Sequence, residues 1–216
     1  MLTKKLFKAC PAVLTVALVA AVALAPLPSM AQQAKSAEKS AKALETITKA
    51  MTSVKTQVED ALTSLTAVTN AKDSKDLQSN FKDFSKRVDD MVKGREKARK
   101  GSEDFKAQRE DYLKTWQKEM GEIQNPEIKA TMEARQAKVT ELMESVKPPF
   151  EAAKASFDPF MADLVDTKKM LSMDLTSGGV AAASPITSKT LADGKTVVSN
   201  IDTVLQALTT LKEQMK

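Results

Sequence analysis

Residues 44–68 read LETITKAMTSVKTQVEDALTSLTAV, and this stretch decides the fold class. Leu44, Met51, Val58 and Leu65 recur every seven residues, and Ile47, Val54, Ala61 and Val68 recur three places behind them. Alternate steps of three and four put all eight side chains on one stripe of an α-helix. A strand, whose side chains alternate with a period of two, scatters them over both faces. Ser36 supplies an N-cap and Glu38 an acid in the first turn, so the reading predicts a helix over about 36–69.

The same period continues down the chain. A polar turn from Asn70 to Ser74, with Asp73 or Ser74 as cap, leads to a second helix over about 75–120. Its stripe is Leu77, Phe81, Phe84, Val88, Met91, Ala98, Phe105, Tyr112, Trp116 and Ile123. The stripe weakens where Arg95, Ser102 and Arg109 take seam positions, and Gly94 and Gly101 flank that gap. Each glycine costs a helix about 1 kcal/mol relative to alanine, which predicts the least rigid part of the helix there. Gly121 and Asn125-Pro126 punctuate the next turn, with Asn125 as cap and Pro126 at the first helical position.

A third segment, about 126–175, carries Ile128, Met132, Val139, Leu142, Val146, Phe150, Ala153, Phe157, Phe160, Leu164, Leu171 and Leu175. Pro148, Pro149 and Pro159 lie inside it, and each is able to end a helix. The stripe keeps phase across them, because Ile128, Val146 and Leu164 are separated by about five whole turns. A kinked continuous helix is therefore expected over two unrelated ones. Gly178-Gly179 and the Ala/Ser run to Ser184 read as a loop, with Ser184-Pro185 opening a fourth helix over about 185–215. Leu191, Val198, Ile201, Leu205, Leu208 and Leu211 are expected on its buried side.

Short connections make successive helices antiparallel. At about 1.5 Å per residue the outer helices reach roughly 45–50 Å and the inner two roughly 70 Å. The expected architecture is all-α: an up-down four-helix bundle in one domain, 32–216, whose two inner helices extend as a hairpin.

Ahead of it, residues 1–31 have the build of a secretory signal. Lys4, Lys5 and Lys8 precede an apolar run from Ala12 to Ala25, Pro26 and Pro28 break it, and Ser29-Met30-Ala31 offers small residues for cleavage. The run is short for a bilayer span. An uncleaved N-terminal anchor is the rival reading. Cys10 precedes the apolar run and so does not fit a lipidation signal. Cleavage after Ala31 predicts an exported protein without cysteine, held by packing alone.

Composition narrows the chemistry. Of 216 residues none is His and one is Cys, which leaves no Ser-His or Cys-His pair and no thiolate zinc site after cleavage. The net charge of +5 falls to about +2 once the three signal lysines are gone, a poor electrostatic footprint for nucleic acid. The run Lys93 to Lys100 (Lys-Gly-Arg-Glu-Lys-Ala-Arg-Lys) points all round a helix and reads as solvated surface. Asp89-Asp90, Glu59-Asp60 and Glu103-Asp104 are helix neighbours that point apart, so they make poor acid–base pairs. No catalytic residue, cofactor site, metal site or small-molecule substrate is expected.

The candidate partner-binding residues are Tyr112, Trp116, Met120, Ile123, Ile128 and Met132, grouped near the tip of the expected hairpin. Two readings stand side by side. They staple the two helices together, or a two-helix hairpin leaves part of them as a docking patch.

A charged centre, Met132-Glu133-Ala134-Arg135 leading to Val146-Lys147-Pro148-Pro149-Phe150, and Leu171-Ser172-Met173-Asp174-Leu175 before a small-residue turn together resemble one family from Phe81 onward. This is the exported bacterial family called domain of unknown function 2959. The resemblance implies a secreted helical coiled coil with no assigned activity and no catalytic residues to transfer. The functional expectation is a non-enzymatic structural or adaptor protein of the cell envelope, with a protein partner or self-association and contact with an envelope or membrane surface. The alternative is a holdase chaperone that meets unfolded clients through a mobile hairpin.

Overall fold

The computed structural model describes the backbone of residues 30–214. The export signal, with Lys4, Lys5, Lys8 and Cys10, lies outside the described residues. The fold is all-α among those residues: α1 (Met30–Thr69), α2 (Ser74–Glu122), α3 (Pro126–Met173) and α4 (Ser177–Gln214).

Two of the three turns are built by the expected caps. Asp73 Oδ1 accepts the backbone N–H groups of Lys75 and Asp76, both at 2.9 Å, so Asp73 caps α2. Asn125 Oδ1 accepts those of Glu127 at 2.9 Å and Ile128 at 3.3 Å, with Pro126 as first residue of α3. Each cap satisfies N–H groups that the first helical turn otherwise leaves without an acceptor. α3 runs without interruption through Pro148, Pro149 and Pro159. Val146, Phe150, Ala153 and Phe160 are buried on either side of the prolines, so packing offsets the backbone hydrogen bonds that proline removes.

The third turn corrects the sequence reading. α4 begins at Ser177, not at Ser184-Pro185, and Gly178, Gly179 and the Ala/Ser run lie inside the helix together with Pro185. The cap is Thr176. Its Oγ1 accepts the Gly179 N–H at 3.1 Å and donates to Asp174 Oδ1 at 2.7 Å, while its carbonyl accepts the Val180 N–H at 2.9 Å. A Cβ on residue 179 would collide with the Asp174 carbonyl oxygen, so the tight entry needs a glycine there.

Of the residues expected on the buried side of α4, Ile201, Leu208 and Leu211 are buried, but the seam they belong to runs through others than Leu191, Val198 and Leu205. Ala183, Thr187, Thr190, Gly194, Val197, Ile201, Val204, Leu208 and Leu211 alternate in steps of four and three and are all buried. Leu191, Val198 and Leu205 flank that seam half-buried. At Gly194 a Cβ would strike Leu62 of α1 and stand 2.9 Å from Phe160 Cε2 of α3, so the glycine permits close approach of three helices.

The described residues group into two compact units. The first takes in those up to Lys49, Ala98–Phe150 and those from Leu205 onward, and the second Ala50–Lys97 and Glu151–Val204. In the second unit the core is Val58, Ala61, Leu65 and Val68 of α1, Leu77, Phe84, Val88 and Met91 of α2, Phe160, Met161, Leu164 and Leu171 of α3, and the α4 seam to Val204. In the first it is Leu44, Ile47, Trp116, Val139, Val146, Phe150, Leu208 and Leu211.

Candidate functional site

The candidate patch belongs to the first unit, where α2 ends, residues 123–125 turn and α3 begins. The Ile123 N–H bonds back to the Met120 carbonyl at 3.3 Å, closing the last turn of α2, and the Asn125–Pro126 cap fixes the entry to α3.

On this frame the six expected residues separate. Trp116, 4% exposed, is a core residue, which favours the stapling reading for it. Met120, Ile123 and Met132 are half-buried. Ile128 is 51% exposed. The side chain of Tyr112 lies outside the described residues. Along α3 the apolar stripe is covered at Val146 (0% exposed) and Val139 (3%), half-covered at Met132 and uncovered at Ile128. Burial therefore fades toward the turn while the sequence period does not change.

The charged residues organise the second unit. Lys55 of α1 donates to Asp202 of α4 at 2.7 Å, Arg87 of α2 to Asp60 of α1 at 2.8 Å, Lys168 of α3 to Asp89 of α2 at 2.6 Å, and Lys189 of α4 to Asp163 of α3 at 2.6 Å. The carboxylates of Asp60 and Asp89 thus each hold a cation on another helix. The Asp202 bond raises the pKa of Lys55, and Asp163 with Asp193 raises that of Lys189 further. In the first unit the Lys49 ammonium beside Glu45 lowers that carboxyl below its ordinary 4.5. All of these pairs keep a solvated side, so each adds little to stability by itself.

Arg95, read from sequence as part of a solvated basic run, is half-buried in the second unit. Burial pushes its pKa down, opposed by the charges of Asp158 and Glu96. Asp158 in turn accepts a hydrogen bond from Lys154 at 2.9 Å. Among the described residues no group of three acidic or thiol side chains is placed to hold a metal ion, and no helix is long and apolar enough to cross a membrane.

Sequence reasoning missed the polar part of the core: Ser64, Thr167, Thr187 and Thr190 are buried. Tracing only large apolar residues passes over them. The signal was present in the heptad phase of α4, which places Thr187, Thr190 and Gly194 on the same line as Val197, Ile201 and Leu208.

Residues 33–214 match the model of a family described as Protein of unknown function (DUF2959), and the chain belongs to that family. The match reaches well upstream of Phe81, where the motif resemblance starts, and takes in the heptads of α1. Neither a curated protein nor a solved structure matches the chain.

Proposed function

We propose that this member of the family is an exported, non-enzymatic helical protein of the cell envelope that works by holding a protein partner at the tip where α2 turns into α3. We further propose that its helices fold as an up-down antiparallel four-helix bundle, with α2 and α3 joined as a long hairpin through residues 123–125. The observation that carries the functional reading is the fading burial of α3, from Val146 at 0% exposed to Ile128 at 51% exposed. An uncovered Ile128 beside half-buried Met120, Ile123 and Met132 offers a small apolar anchor on a helical tip, the kind of feature that partner surfaces engage.

The antiparallel reading draws on the order of paired residues within the second unit. Between α1 and α2, Asp60 meets Arg87 while the later Ala67 carbonyl meets the earlier Asn80 amide, at 2.9 Å. Between α3 and α4, Ser156 meets Asn200 while the later Asp163 meets the earlier Lys189. Partners running in opposite senses suit neighbours that point opposite ways. The non-enzymatic reading is supported by Asp60, Asp89, Asp163 and Asp202, each of which is matched by an ammonium or guanidinium group on another helix.

Capture from an envelope extract by the mature parent chain, compared with Ile128→Ser, tests the function. Loss of one specific partner in the variant, with unchanged helix content, is the expected result; an identical set of captured proteins would overturn it. The holdase alternative makes a different demand, that the chain suppress aggregation of a heat-denatured model protein near stoichiometric ratio. Export is checked by the N-terminus of the protein isolated from cells, expected at Gln32.

A further inference from the structure

One level of the second unit is polar on all four helices. On α1, the Gln57 amide lies against the face of Gly94 in α2, so close that a Cβ there would stand 2.5 Å from Gln57 Oε1. On α2, half-buried Arg95 feels the charge of Asp158 on α3. On α3, Ser156 Oγ accepts a hydrogen bond from Asn200 Nδ2 of α4 at 2.9 Å and itself donates to the Ala153 carbonyl at 3.0 Å. On α4, Asp202 accepts from Lys55 of α1 at 2.7 Å, which returns the ring to its start. At this level the centre is filled by buried Val58 and Ile201, and beyond it, on α1 and α2, the core is apolar at Ala61, Leu65, Phe84 and Val88.

A purely apolar heptad seam tolerates sliding by whole repeats, because one Leu or Val layer resembles the next. A polar side chain set among such layers ties the helices to one alignment, since any slip places it against hydrocarbon. α1 is exposed to that hazard: its Leu44, Met51, Val58 and Leu65 positions are near-equivalent.

We propose that the girdle of Gln57, Arg95, Asp158, Ser156 and Asn200 is a register lock, a device that selects one alignment of the four helices at some cost in stability. It rests on the antiparallel bundle proposed above. Its polar groups are half-buried, and Arg95, Asp158, Ser156 and Asn200 have polar partners, so replacing Arg95 and Asn200 with apolar residues leaves the fold intact and removes the selection.

Zero-length carbodiimide cross-linking of the full chain tests it. The reagent activates a carboxylate, an adjacent lysine amine attacks, and an amide bond forms with loss of the urea. The parent is expected to give Lys55–Asp202, Lys168–Asp89 and Lys189–Asp163 as its inter-helix products, all read by mass spectrometry. In Arg95→Leu/Asn200→Leu, Asp158 keeps Lys154 and Ser156 keeps the Ala153 carbonyl. This variant is expected to keep its helix content and melt roughly 2–4 °C higher. It is also expected to add inter-helix products that join Lys55 or Lys168 to carboxylates other than Asp202 and Asp89. A variant with only the parent's products overturns the lock and leaves the bundle standing. A variant that loses its helices overturns it too, because the lock would then be a stabiliser. A parent without the three products overturns the bundle and the lock together.

Discussion

Two stretches of one helix, α3, carry the same apolar period and meet different fates. In the second unit Ala153, Phe160, Leu164 and Leu171 are all buried. In the first unit Val146 and Val139 are buried, Met132 is half-covered and Ile128 is exposed. The period is identical because it is a property of helix geometry. Burial differs because it depends on what packs against each turn, which spacing along one helix does not specify. A heptad therefore announces a face and leaves unstated how fully the face is used.

The sharpest way to break that contrast is a truncation at each end of it. Phe160→Ala, deep in the second unit, is expected to cost about 3–5 kcal/mol in chemical denaturation, whereas Ile128→Ser is expected to stay within about 0.5 kcal/mol of the parent. Equal costs at the two sites would mean that the α3 tip is as well packed as the core.

A smaller effect of opposite sign is expected at Thr167. This side chain is fully buried in the second unit with its Oγ1 lacking a hydrogen-bond partner. An unsatisfied hydroxyl in a core is costly, so Thr167→Val is expected to raise stability by about 1 kcal/mol. A loss of stability would show that the hydroxyl is satisfied in solution.

The smallest effect separates the units by pH. Lys55 and Lys189 in the second unit have pKa values raised above the ordinary 10.5, so their contribution is complete below that value and is lost as pH climbs through the raised range. Glu45 in the first unit has its pKa lowered from 4.5, so its contribution is complete above 4.5 and is lost as pH falls through the lowered value. Amide exchange followed across pH is expected to show alkaline loosening near Lys189 and acid loosening near Glu45, both reduced by salt. Lys189→Met is expected to flatten the alkaline arm only.

Much of the architecture was legible because helix boundaries are local chemistry. Asp73 and Asn125-Pro126 act on N–H groups two or three residues away, and no distant contact is needed to recognise them. The start of α4 was misread for the opposite reason. Gly178, Gly179 and Pro185 are poor helix formers by themselves, yet burial of Ala183, Thr187 and Thr190 gives that segment a packed face, and Thr176 closes its end. The six candidate residues could not be told apart in the sequence by how far each is covered. Trp116 and Ile128 look alike as apolar stripe members, but Trp116 is buried and Ile128 is not.

What the amino-acid order determined by itself is the class and punctuation of the fold: among the described residues four long helices, two of their caps and an uninterrupted α3, because spacing and caps act over one or two turns. What the tertiary structure alone decided is which residues on each stripe are covered, how closely Leu62 and Phe160 approach Gly194, and which charged residues pair across helices. Those outcomes depend on side chains far apart in the chain arriving within a few ångströms of each other, and no local period encodes that distance.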